Sequence, residues 1–173
     1  TGGTPAGSTP QGRLLTLLLE VVFSPGDPAA LLALAKHPLV RLSESGEDHA
    51  AVVSLFEMAI LRGGTGRIGP QALVELVRRR EAEKCRAEEE GLYVLPVLKS
   101  LEDADFIGLV AFAERFEVAL GPLAELAARA DEVPLASLVT ATVKVLETLA
   151  RDENGFHDAL YDGEPGALLR SFL

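Results

Sequence analysis

Apolar residues at helical spacing, interrupted by proline and glycine, constrain the fold of this chain more than any other feature. The pattern is densest near the N-terminus, where residues 31–38 read L-L-A-L-A-K-H-P. Asp27 and Pro28 favour a helix start before this segment, and Pro38 ends it because proline lacks the N–H that a continuing helix needs. The segment that starts at Thr9 carries a wide face of leucine and valine. We therefore expect these two segments to form a tight helical hairpin.

The same pattern predicts helices in the rest of the chain. They are expected over residues 47–62, 70–90, 103–120 and 134–151, with a short turn near 157–161 and a last helix after 163–166. Ser43 or Ser45 is the expected cap of the first of these, and Gly121-Pro122 is expected to break or kink the third. Pro96 makes the strand-like run at residues 92–98 an edge strand or a buried connector. The prediction is an all-α, irregular bundle of about seven to nine helices with little or no β-structure.

Length and terminal composition predict how the chain is divided. Residues 1–8 read T-G-G-T-P-A-G-S and are expected to form a linker or a poorly ordered arm. Residues 9–173 are expected to form a single helical domain, since this length fits one core. The absence of an initial Met and the helical register of the last residues predict a fragment of a larger chain.

Net charge and cysteine content exclude several classes of function. The formal net charge is −10, whereas a free-standing nucleic-acid-binding protein usually carries a basic footprint. The single cysteine, Cys85, excludes an intramolecular disulfide and a metal site with several cysteines from this chain alone. It predicts a reducing, cytoplasmic location. The longest apolar run is far shorter than the roughly 20 residues that span a bilayer, so no membrane association is expected.

No catalytic or cofactor site can be assigned from the sequence. Residues 64–69, G-T-G-R-I-G, match the dinucleotide-binding pattern G-x-G-x-x-G, but a helix precedes them and the β-α-β context is missing. His37, His49 and His157 are far apart in sequence, and His37 is expected to interact with the dipole at the end of its helix. We therefore predict no metal, no cofactor and no enzymatic activity for this chain.

One dense basic cluster can be interpreted in two ways. Residues 78–90 carry five basic and five acidic side chains, so their net charge is zero. This balance favours a solvated helix face with salt bridges over contact with a phosphate backbone, which remains the alternative. The candidates for contact with nucleic acid or with a partner are Arg78, Arg79, Arg80, Lys84, Arg86 and Lys36.

Five short stretches of the chain resemble sequence motifs of one known protein family. Residues 9–15 (T-P-Q-G-R-L-L) and 31–39 (L-L-A-L-A-K-H-P-L) are similar to two helix motifs that the family has at comparable spacing. Residues 59–63 (A-I-L-R-G) and 146–150 (L-E-T-L-A) also match. Residues 160–167 (L-Y-D-G-E-P-G-A) resemble L-W-x-G-E-A-G-E-A, with Tyr161 and Pro165 in place of the family's Trp and Ala. The family that these stretches resemble is that of bacterial AddB, the B subunit of the AddAB double-strand-break repair helicase–nuclease.

The resemblance implies a helical segment from the helicase-like half of that subunit. The family's nuclease motif and cysteine cluster lie in a later region, so no catalytic residue is carried over. The implied function is that of a non-catalytic helical domain that supports DNA end resection in recombination. Its implied partners are the other domains of the parent chain, the partner helicase–nuclease subunit and DNA bound by the whole complex. An acidic all-α protein–protein interaction module unrelated to DNA is the alternative, since it fits the same composition.

Overall fold

The computed structural model describes residues 5–42, 48–62 and 69–172, and within these ranges all regular secondary structure is helical. In the described ranges, a 3₁₀ turn at Ala6–Ser8 precedes nine α-helices, and a π-helical turn at Glu57–Leu61 extends the third. The α-helices are α1 (Pro10–Phe23), α2 (Pro28–Ala35), α3 (His49–Phe56), α4 (Leu73–Glu89), α5 (Pro96–Lys99), α6 (Asp103–Ala127), α7 (Leu135–Leu149), α8 (Asp158–Tyr161) and α9 (Gly163–Phe172). The predicted all-α multi-helix fold is confirmed.

The predicted N-terminal hairpin is present, and both of its helices start with a local cap. The Thr9 hydroxyl oxygen accepts a hydrogen bond from the Gly12 N–H (3.1 Å), and the Asp27 carboxylate accepts one from the Ala29 N–H (2.8 Å). These bonds satisfy N–H groups that have no partner within the helix, and proline follows each cap without losing a needed donor. Helices α1 and α2 pack against each other and bury Leu34 completely.

Helix α6 lies at the centre of the bundle. It packs against α4, α7, α1 and α3, and its inward face carries three of the four largest fully buried aromatic rings. The four phenylalanines are Phe56, Phe106, Phe112 and Phe116. The Phe112 ring stands edge-on to the Phe56 ring, with a distance of 5.4 Å between their centroids. This contact anchors α3 to the middle of α6, because edge-to-face aromatic pairs add attraction to the area that they bury.

Two predicted helix boundaries are wrong, and packing between helices explains both. Helix α6 continues through Pro122 to Ala127, because Leu120 and Leu123 on either side of the proline are fully buried and hold the chain in helical register. Helix α4 begins at Leu73 rather than at Pro70. Its first turn has no local cap, and the Val74 N–H donates instead to the Glu117 carboxylate of α6 at 2.9 Å.

Other departures from the sequence prediction are local. The cap of α3 is Asp48, whose carboxylate accepts hydrogen bonds from two N–H groups of the first turn. The expected caps Ser43 and Ser45 lie outside the described residues, as does most of the glycine-rich loop at 64–69. Residues 92–95 are extended and form no strand with any described part of the chain, and Pro96 begins α5. Among the described helices, none combines the length and the apolar character that crossing a membrane would require.

Candidate functional site

The six predicted contact residues do not form one surface. Two of the five on α4 point inward, because this helix lies against α6 along its length. Lys84 is the clearer case: its side chain is 13% exposed and its Nζ donates to the Leu101 carbonyl oxygen at 2.6 Å. The same ammonium lies 5.7 Å from the centre of the Phe106 ring, a cation–π arrangement. Lys84 thus joins α4 to the start of α6.

Arg80 is also mostly buried. Its side chain is 12% exposed, and its Nη1 lies 2.9 Å from the Glu83 carboxylate one turn along the helix. Long basic side chains can bury their aliphatic stems while the charged end finds a partner, which explains the inward position of both residues. Arg80 and Lys84 therefore contribute to packing in this structure.

Three basic residues of the cluster are exposed on the outer face of α4. Arg78, Arg79 and Arg86 point to solvent, but acidic residues three or four positions away share that face. Glu75, Glu83, Glu89 and Glu90 are all exposed there. Interleaved charges of both signs produce no extended positive potential, which is what attracts a phosphate backbone.

The sixth residue, Lys36, belongs to a small charged cluster at the end of α2. Its Nζ lies 2.5 Å from Glu57 Oε2, and Arg62 Nη2 lies 2.7 Å from Glu57 Oε1. Hydrogen bonds from Lys36 and then from Arg62 hold the pKa of Glu57 below its ordinary value. The cluster carries one net positive charge. It directly precedes the glycine-rich loop.

Glu57 and Arg62 were not among the predicted contact residues. They are five positions apart, a spacing that does not place two residues on the same face of an α-helix. The π-helical turn brings them together, because the Arg62 N–H bonds to the Glu57 carbonyl oxygen at 3.0 Å, five residues back. In the sequence, the only sign of this ion pair is a glutamate and an arginine five positions apart, next to a glycine-rich stretch.

His37 does not occupy the role that its position at a helix end predicted. Its ring is 7% exposed, its Nδ1 accepts a hydrogen bond from the Leu39 N–H (3.3 Å), and the ring also hydrogen-bonds the backbone of Pro10. Burial, followed by the charge of Arg13, lowers the pKa of His37. A neutral, buried imidazole connects α1 to α2 rather than placing a positive charge at the negative end of the α2 dipole.

The other two histidines each contact a different neighbour. His49 Nε2 lies 3.0 Å from the Ala35 carbonyl oxygen, so its N–H donates to the end of α2. His157 Nε2 lies 3.6 Å from a Glu147 oxygen, and the same carboxylate accepts the Tyr161 hydroxyl at 2.8 Å. Within the described ranges, no three His, Cys, Asp or Glu side chains come together as a metal site.

Four of the five stretches that carry the resemblance are linked to one another. His37 joins residues 31–39 to Pro10 in residues 9–15. The Arg41 N–H, two residues further on, donates to the Leu149 carbonyl oxygen at 2.8 Å. The bond from Tyr161 to Glu147 then joins residues 146–150 to 160–167. We refer to residues 9–15, 31–39, 146–150 and 160–167 together as the helix joint.

The C-terminal part of the helix joint also depends on a close backbone approach. A Cβ atom at Gly166 would lie 2.2 Å from the Tyr161 carbonyl carbon, so only glycine fits here. The Arg170 guanidinium lies 4.5 Å from the centre of the Tyr161 ring. Burial and then the nearby Glu147 raise the pKa of Tyr161 to about 12, so its hydroxyl stays a hydrogen-bond donor at neutral pH.

Comparison of the chain with protein-family models, with curated proteins and with solved structures found no match.

Proposed function

We propose that this chain is a non-catalytic helical domain of a cytoplasmic DNA double-strand-break repair helicase–nuclease subunit, where it supports end resection. The resemblance to the AddB family is the basis of this proposal. The observation that supports its non-catalytic character is the helix joint. Two polar side chains of the matching stretches are bonded within the fold: His37 bonds to the backbone of Pro10, and Tyr161 bonds to Glu147.

These hydrogen bonds within the fold fit a structural role of the matching residues better than a catalytic one. A catalytic histidine or tyrosine needs a ring nitrogen or hydroxyl that can reach a substrate, and these groups are already bonded within the fold. Gly166 is likewise required by the contact between α9 and Tyr161. A resemblance confined to such residues supports a shared helical framework whose function depends on the surrounding complex.

The charges of the chain agree with an indirect role in DNA handling. With a net charge of −10, and with acidic residues between the exposed arginines of α4, the isolated chain is expected to repel a phosphate backbone. In a resection complex, the DNA would be held by other parts, and this domain would position them.

A pair of substitutions in the full-length gene product tests the proposal. Leu34→Asp places a carboxylate in a site with 0% exposure and should unfold the domain, whereas Ala33→Asp alters the exposed neighbour on the same helix. We expect Leu34→Asp to reduce survival after double-strand breaks and ATP-dependent DNA degradation in extracts, while Ala33→Asp leaves both near wild type. The proposal fails if Leu34→Asp removes the folded protein and both readouts stay at the wild-type level.

The protein–protein interaction module remains a second candidate, and one observation favours it. Leu92 and Tyr93 are 59% and 78% exposed in a stretch that the backbone holds in place. Exposed aromatic and aliphatic side chains of this kind are typical of protein contact sites. If the Leu34→Asp variant has no resection phenotype, this candidate replaces the first.

A further inference from the structure

The C-terminal end of α4 and the start of α5 border a groove of about 510 Å³, which we call the α4–α5 groove. The side chains of Leu92, Tyr93 and Val94 form one wall, and Ala87, Glu88, Pro96 and Lys99 contribute to the rest. The opening is large enough to receive several side chains of a partner. It lies apart from the helix joint, so an inference about it does not depend on the role in end resection, but it deepens the second candidate function, which rests on the same Leu92 and Tyr93.

The backbone holds the apolar wall in place. Gly91 adopts a left-handed conformation (φ +66°), the Leu92 N–H donates to the Ala87 carbonyl oxygen at 2.7 Å, and the Gly91 N–H donates to that of Glu88 at 3.3 Å. This is a Schellman motif, in which the residue at the Leu92 position usually packs onto the helix. Ala87 is too small to cover it, so Leu92 remains exposed.

Tyr93 and Val94 continue this wall beyond Leu92, and Leu95 follows them in the chain. Tyr93 is the most exposed large apolar residue among the described side chains, and Leu95 adopts the extended conformation expected before Pro96. Both ends of the stretch are thus fixed, by the Schellman motif on one side and by Pro96 on the other. A surface that is already ordered loses little conformational entropy on binding, which favours it as a contact site.

The charges around the groove determine which partner fits. Glu88, Glu89 and Glu90 lie at the C-terminal end of α4, where the helix dipole is already negative and carboxylates are unfavourable. Lys84 Nζ lies 4.0 Å from a Glu88 carboxylate oxygen, and the Lys84 side chain is mostly buried. Exposed charged residues between 86 and 103 comprise five acids and two bases. This arrangement destabilises the isolated helix end, and a positive partner would relieve it.

We propose that the α4–α5 groove binds a basic, leucine-rich segment of a partner protein. Aliphatic side chains of that segment would pack on Leu92 and Tyr93, and its lysines or arginines would face the carboxylates at residues 88–90. A nucleic acid does not fit, because its phosphates would meet these carboxylates. A second copy of this chain does not fit either, since it carries the same negative charge.

A synthetic amphipathic peptide of leucine and lysine serves as the probe, and its analogue with glutamate for lysine is the matched control. Titration into the ¹⁵N-labelled full chain should shift backbone amide resonances of residues 87–99 and leave the helix joint unchanged. The glutamate analogue should cause no such shifts. The proposal is overturned if the largest shifts lie elsewhere, if both peptides bind equally, or if the lysine peptide does not bind at about millimolar concentration.

Variants separate the apolar and the charged parts of the groove. Leu92→Ser with Tyr93→Ser should weaken peptide binding about tenfold or more, whereas Val118→Ser with Leu135→Ser, both 75% exposed elsewhere, should not. Glu88→Gln, Glu89→Gln and Glu90→Gln together should weaken binding about threefold to tenfold and flatten its salt dependence. The exposed residues Glu114, Glu132 and Glu153, changed to Gln together, are the control.

Three further outcomes would overturn the proposal. They are an equal loss of binding in the control variants, a dimer of the chain that depends on Tyr93 in sedimentation equilibrium, and a DNA oligonucleotide that, without the peptide, shifts the amide resonances of residues 87–99. Circular dichroism of each variant checks the fold, which exposed substitutions should leave unchanged.

Discussion

The helix joint and the outer face of α4 both contain many polar side chains, but these side chains make different kinds of contact. In the helix joint, the His37 ring and the Tyr161 hydroxyl each bond to a specific partner in another helix. On the outer face of α4, exposed arginines and glutamates alternate. Three carboxylates lie at the C-terminal end of the helix, where the helix dipole disfavours negative charge. The difference indicates that the helix joint stabilises the fold, whereas the outer face of α4 is exposed to solvent.

The largest effect is expected in the core beside the joint. Leu34→Ala removes a side chain with 0% exposure and should lower the free energy of unfolding by about 2–5 kcal/mol through lost burial and cavity formation. The half-buried neighbour Leu32, changed to Ala, should cost less than about 2 kcal/mol. Urea unfolding measures both. Equal losses would mean that α2 is not oriented as described.

A methyl group added to the joint tests its closest backbone contact. Gly166→Ala should destabilise the chain by about 1–3 kcal/mol, because the new Cβ would overlap the Tyr161 backbone. Gly108→Ala is the matched control, since a Cβ there meets no atom within 4 Å and alanine favours the helix interior. Thermal unfolding should show a lower midpoint for the first variant and an unchanged or higher one for the second.

Removal of the histidine that connects α1 to α2 should have a smaller effect. His37→Ala leaves the Leu39 N–H without its acceptor and should cost about 1–3 kcal/mol. His37→Gln can retain a hydrogen bond and should cost less. If His37→Ala is as stable as the wild type, the His37 ring does not stabilise the contact between α1 and α2.

The pH dependence of stability provides a second test of His37. Since its pKa is lowered in the folded chain, the unfolded chain takes up the proton first as the pH falls through the ordinary value of 6.5. The folded state therefore loses stability below about pH 6.5, and the wild type should lose more than His37→Gln between about pH 7 and 5. If urea unfolding shows that both proteins lose the same free energy of unfolding over this pH range, the lowered pKa of His37 is contradicted.

Within α4, two basic residues only two positions apart should differ. Lys84→Ala should lower the free energy of unfolding by about 1–2 kcal/mol, because it removes the bond to the Leu101 carbonyl oxygen and the buried stem. Arg86→Ala on the exposed side should change it by less than about 0.5 kcal/mol. The reverse order would mean that α4 is rotated about its axis.

The smallest expected effect is that of DNA on the isolated chain. Because its charges repel phosphate, the chain should bind single- or double-stranded DNA weakly or undetectably at about 150 mM salt. Changing Arg78, Arg79 and Arg86 to Ala should make no measurable difference. Fluorescence anisotropy with labelled oligonucleotides measures this, and submicromolar binding that these substitutions abolish would revive the nucleic-acid interpretation of the cluster.

The sequence predicted the fold class and those helix starts where the signal is local. The caps at Thr9 and Asp27 act within three residues, so the sequence identified them. The start of α4 depends on Glu117, which lies 43 residues away from Val74, and no local pattern reveals such a partner.

The same limit applies to the candidate site. The charged half of α4 has no apolar periodicity, so the inward direction of Arg80 and Lys84 became clear only from their packing against the start of α6. The pairing of Glu57 with Arg62 depends on a π-helical turn that the helical pattern does not distinguish. Exposure of Leu92 follows from the small Ala87 in the preceding turn, a detail that an apolar run alone does not indicate.

The bond from the Val74 N–H to Glu117 has a consequence for how the chain opens. Helix α4 has no side chain of its own at its first N–H groups, so the order of its first turn depends on α6 remaining folded. Fluctuations that open the middle of α6 should therefore open the start of α4 as well, and the two helices should exchange amide hydrogens as one cooperative unit. Amide protection of the residues that line the α4–α5 groove, at the other end of α4, would then show whether the central helix α6 is folded.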